Sequence, residues 1–151
     1  MKAEDIKIVE AYETDKPAFD FSKLASELLA KPPAIDLRGI GKVVIVGFAR
    51  SVHEHEKTSL LHPKLKDIPI FIELCASRIL EAMPEAERAD AEAVKAHTAY
   101  AIFRAVGYNT LQYKHGVDKK KADAIAMSYG RKLLSENFPG WTVENDLPVK
   151  K

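Results

Sequence analysis

Pro69-Ile-Phe-Ile-Glu-Leu-Cys-Ala-Ser-Arg-Ile-Leu80 is the stretch on which the fold turns. It is apolar on nearly every side, Asp67 stands where a helix cap would, and Pro69 falls near a first turn. Read as a helix running to Met83, it has no polar face and predicts the buried central element.

Working upstream, Lys42-Val-Val-Ile-Val-Gly-Phe-Ala49 is rich in β-branched residues and apolar on both faces, the pattern of an interior strand. Ile6 and Ile8 alternate with polar neighbours and predict a short strand over 5–11. Asp20 or Ser22 can cap a helix to Ala30 with an apolar stripe of Phe21, Leu24, Ala25, Leu28 and Leu29, and Pro32-Pro33 stops it. Residues 50–67 read as a polar loop.

Working downstream, Pro84 opens a helix over 84–106 that Gly107 ends. A connection over 108–116, extended in part, leads to Asp118, the cap of a last long helix that runs to Asn137. Pro139-Gly140 follows, and Trp141 to Val143 form a short strand or a hydrophobic clamp. The expectation is a helix-dominated α+β fold, with about four helices packed on a small two- or three-stranded sheet. One globular domain spans 1–143, and 144–151 form a flexible tail.

Composition bounds the function. With 151 residues and 46% hydrophobic content, the chain can build a core without metal or disulfides. Lys plus Arg is 23 against 22 Asp plus Glu, a net charge of +1, so any polyanion contact must rest on a local patch. The single cysteine, Cys75, excludes an internal disulfide and reads as a buried, inert thiol. No stretch suits a signal peptide or a spanning helix, which points to a cytoplasmic protein with no membrane partner.

His53, His55 and His62 fall within ten residues just after the best strand. Two histidines at i and i+2 of an extended segment share a side and can share a divalent metal, which would make a metal-dependent enzyme. The spacing from Gly47 to His53 and His55 resembles the opening of the cupin metal motif, although no glutamate follows at the distance that motif requires. Glu, Lys, Thr and Ser around these histidines read more simply as a solvated loop, and no cofactor is expected. The sequence has no G-x-S-x-G, no P-loop and no G-x-G-x-x-G, so the expectation leans away from catalysis.

Lys119, Lys120 and Lys121 open the last helix against its dipole, a mismatch that costs a few tenths of a kcal/mol each. Lys120 and Arg131 are eleven residues apart, as are Lys121 and Lys132, so each pair shares a side. From Tyr113 to Lys132 six Lys or Arg stand against two Asp. Lys114, Lys119, Lys120, Lys121, Arg131 and Lys132 are therefore the candidate nucleic-acid contacts. Val106-Gly-Tyr-Asn-Thr-Leu-Gln-Tyr113, leading to Lys119-Lys-Lys121, resembles part of the second helix-turn-helix of AraC-type regulators. Lys114 stands where that pattern has an aromatic, Gly116 would break the recognition helix, and no function is carried over.

On the last helix, Ala122, Ile125, Ala126, Tyr129 and Leu133 predict the core face. Met127 and Leu134 lie nearly opposite, beside Lys120 and Arg131. The 84–106 helix also has a second face, including Tyr100 and Phe103, although sandwiching inside the fold accounts for it better than a partner does. Met127, Leu134, Lys120, Arg131, Tyr100 and Phe103 are thus the candidate partner-binding residues. The leading expectation is a small non-catalytic protein–protein interaction module: a homo-oligomer, adaptor or inhibitor. A nucleic-acid-binding accessory protein and a metal-dependent enzyme are the alternatives.

Overall fold

Among the described residues, four helices, a mixed four-stranded sheet and a terminal hairpin make a helix-dominated α+β fold. The computed structural model describes residues 7–11, 21–30, 40–46, 56–59, 70–109, 111–112 and 116–151. The chain runs through β1 (Lys7–Ala11), α1 (Phe21–Ala30), β2 (Ile40–Val46), β3 (Glu56–Ser59), β4 (Ile70–Cys75) and α2 (Ala76–Ala82). It continues through α3 (Ala91–Asn109), α4 (Lys119–Asn137), β5 (Trp141–Glu144) and β6 (Leu147–Lys150).

The main sheet has the order β1-β2-β4-β3. β1 and β2 pair in parallel across α1, and β2 pairs in parallel with β4. β3 lies antiparallel to β4. The sheet is larger than the expected two or three strands for two reasons. Residues 70–75 are a strand, not the first half of a helix, and β3 falls inside the expected loop 50–67. A fully enclosed strand and a buried helix leave the same continuous apolar run in sequence; the β-branched Ile70 and Ile72 are the signal for the strand. Helix begins only at Ala76.

The expected 84–106 helix also shifts. Pro84 leads a single 3-10 turn, Glu85–Glu87. The Asp90 carboxylate accepts the Glu92 amide at 3.0 Å, satisfying one of the free donors where α3 starts. Gly107 does not end α3 but lies inside it, where a Cβ would come within 2.9 Å of Tyr129 Cδ1. The expectation of an extended 108–116 also fails in part, since Leu111 and Gln112 are in a helical turn. At Gly116 the chain turns with φ 64°, a left-handed value that glycine adopts at little cost.

α3 is the buried centre. It touches α1, α2, α4, β4 and β6, and its residues from 96 to 103 are all buried. Its two apolar faces are both used inside the fold.

Residues 144–151 are not a loose tail. β5 and β6 pair antiparallel, and Asn145 and Asp146 turn the chain with φ of 51° and 59°. Positive φ at both central residues is the geometry of a two-residue type I′ hairpin, and Asn and Asp tolerate it. The Lys151 amide donates to the Gly140 carbonyl at 2.8 Å, closing the hairpin base. Trp141 and Val143 point inward and are buried with the α3–α4 core.

Candidate polyanion interface

α4 is set up locally as its sequence requires. The Asp118 side chain accepts from the Lys121 amide, and the Phe138 amide closes the far end on the Leu134 carbonyl. Its buried residues are Ala122, Ala126, Gly130, Leu133 and Leu134. Gly130 lets the helix approach α3 closely: a Cβ there would lie 3.0 Å from Tyr100 Cε1 and 3.6 Å from the Arg104 Cα. The close contact at Gly130 rotates the packed face away from Ile125 and toward Leu134.

That rotation changes the partner-binding set. Leu134 is fully buried, at 0% exposure, rather than displayed opposite the core. Tyr100 at 4% and Phe103 at 2% are core residues of α3. Met127 is half-buried, and Lys120 and Arg131 are exposed. Ile125, expected in the core, is 43% exposed.

Of the described nucleic-acid candidates, Lys120, Lys121, Arg131 and Lys132 lie on the outward side of α4, whereas Lys119, at its first residue, falls on the helical wheel in line with the buried Ala126 and Gly130. Lys119, Lys120, Lys121, Arg131 and Lys132 are all exposed, and none forms an ion pair among the described residues. Lys114 lies outside the described residues. Between 119 and 135 the only carboxylate is Asp123, and its Oδ1 accepts from Arg104 Nη2 at 2.7 Å. Glu136, exposed one turn beyond Lys132, is the one further carboxylate of α4, so the counter-charge of the basic face is confined to its C-terminal end.

A second polar group escaped the sequence reading. Arg104 Nε also donates to Asp146 Oδ1 at 3.0 Å, and the Tyr100 hydroxyl donates to the same oxygen. The network ties α3 to α4 and to the hairpin turn. Burial, and then the hydrogen bond and charge of Asp146, raise the Tyr100 pKa, while Arg104 opposes them. Asn145-Asp146 between two short alternating segments is the sequence signal for the hairpin; nothing in sequence pairs it with Arg104. Nearby, His97 is buried edge-on to Trp141, with ring centroids 6.1 Å apart. Burial pushes the His97 pKa down to about 4.

His53, His55 and His62 lie outside the described residues. Among the described residues no three His, Cys, Asp or Glu are placed to hold a metal ion. No described helix is long and apolar enough to cross a membrane. No protein-family model, curated protein or solved structure matches the chain.

Proposed function

We propose that the protein binds nucleic acid through the outward face of α4. The observation that carries this reading is the set of four exposed cations on that face, Lys120, Lys121, Arg131 and Lys132, with Lys119 exposed at the helix start, none of them ion-paired among the described residues. Clustered cations on one surface release counterions from a phosphate backbone, which is the main driving term in such binding. Burial of Leu134, Tyr100 and Phe103 removes most of the apolar surface that a protein partner would have used.

The test is fluorescence anisotropy on a labelled oligonucleotide over a range of salt. With the four outward cations on phosphates of duplex DNA, log Kobs falls against log salt with a slope of about −3.6. Replacing Lys120 and Arg131 with alanine lowers the magnitude of that slope by about 2. No binding at low salt, or a slope near zero, overturns the reading.

Self-association is the second reading, favoured by one observation. Ile125 is a large apolar side chain at 43% exposure, and Met127 on the same helix is only half-buried. Sedimentation of the wild type and Ile125→Lys separates the two readings. A dimer lost in the variant would support self-association.

A further inference from the structure

Resting on the nucleic-acid reading above, we propose that α4 lies in the major groove of B-form duplex DNA, its exposed small residues facing the base edges. The buried residues Ala122, Ala126, Gly130, Leu133 and Leu134 fix which side of α4 meets α3. On the helical wheel, Ala124 and Ser128 fall on the opposite side, and both are exposed. Lys120 and Arg131 form one line along that side, and Lys121 and Lys132 form a second, about 100° around the helix. Each line places its two cations about 16 Å apart along the axis. α4 thus presents a low ridge of small residues flanked on both sides by cations.

That arrangement fits a groove with phosphates on both walls. The B-DNA major groove, about 12 Å wide, admits an α-helix. Cations on the two flanks then reach the two strands. The short side chains of Ala124 and Ser128 let the helix backbone approach the floor, where Ser meets donors or acceptors and Ala meets a thymine methyl.

The other polyanions fit less well. Single strands are held on aromatic platforms. The one aromatic between 119 and 135 is Tyr129, which is half-buried, with its ring edge against Gly107. The major groove of A-form RNA is too deep and narrow for side chains to read. A membrane-surface helix needs a broad apolar face, and Ile125 is the one large hydrophobic of α4 that is exposed.

The full chain is titrated by anisotropy onto four probes: a DNA duplex, the same duplex carrying glucosylated 5-hydroxymethylcytosine, one of its single strands, and vesicles with an anionic phospholipid. The bulky sugar fills the major groove and leaves the phosphates in place. Binding to the unmodified duplex is expected to be tighter than to the glucosylated one by about tenfold or more. A minor-groove ligand such as netropsin is expected not to compete. Ser128→Leu, at an exposed helical position, is expected to cause a similar loss without changing the thermal melt. Equal affinity for the two duplexes, or tighter binding to the single strand, overturns the groove placement and leaves nucleic-acid binding standing. Binding to vesicles alone, or to none of the four probes, overturns both.

Discussion

Arg104 and Asp146 meet across the fold: Arg104 Nε, inside α3, donates to Asp146 Oδ1 at 3.0 Å in the turn of the terminal hairpin. The same carboxylate oxygen takes the Tyr100 hydroxyl, and the other arm of Arg104 reaches Asp123 on α4. Three elements are therefore held by one guanidinium and its two carboxylates.

Removing Asp146 tests how far the hairpin depends on that latch. Asp146→Ala removes the acceptor of the Tyr100 hydroxyl and of Arg104 Nε and puts a β-carbon residue without an Asx side chain at positive φ. Asp146 and Asp123 are themselves part-exposed, which weakens each ion pair. The expected cost is about 1–2 kcal/mol in urea denaturation. Asp146→Asn keeps the left-handed backbone comfortable and accepts one bond, so it should cost less. Equal costs for the two variants would mean that the charge, and not the turn geometry, dominates.

Leu134 and Ile125 offer a paired measurement of the helix phase. Leu134→Ala removes a fully buried side chain and is expected to cost about 2–4 kcal/mol. Ile125→Ala acts at an exposed position and should fall within about 0.5 kcal/mol of wild type. If the two costs came out reversed, α4 would pack on the face that its apolar stripe suggests.

The limits and cap of α4 were legible because Asp118 and Pro139-Gly140 are strong local signals. Its phase was not, because the wheel is dominated by the large side chains Ile125 and Tyr129. The deciding contact is made by Gly130, which contributes nothing to an apolar stripe and everything to how near α3 can come. β4 was misread because a run of apolar residues does not state its own period. The hairpin was missed because Asn, Asp and Pro carry both looseness and tight-turn chemistry. The basic face of α4 was legible because unpaired lysines in a first helical turn conflict with the dipole. That its two lines of cations flank Ala124 and Ser128 needed the packed side to be known.

His97 sets a pH dependence. Burial lowers its pKa from 6.5 to about 4. The unfolded chain therefore takes up the proton first as pH falls. Its contribution is complete above about 6.5 and is lost progressively as the pH drops toward 4, up to on the order of 3 kcal/mol. His97→Phe retains an aromatic ring against Trp141 and removes the titration. Chemical denaturation at a series of pH values should show the variant losing less stability than wild type in that window. Parallel profiles would mean that His97 takes up its proton in the folded state as readily as in the unfolded one.

Gly130→Ala sets two effects of opposite sign against each other. Alanine is the better helix former by about 1 kcal/mol. The new methyl, however, meets the Tyr100 ring at 3.0 Å. That ring is buried and its hydroxyl is held by Asp146, so it has little freedom to give way. The steric term should win, leaving the variant less stable by about 1 kcal/mol. Tyr100→Phe removes the hydroxyl anchor and lets the ring shift. In that background Gly130→Ala should cost less, with a coupling of about 0.5 kcal/mol or more in a double-mutant cycle. A Gly130→Ala protein that melts higher than wild type would mean that helix propensity prevails and that α3 and α4 have room to separate.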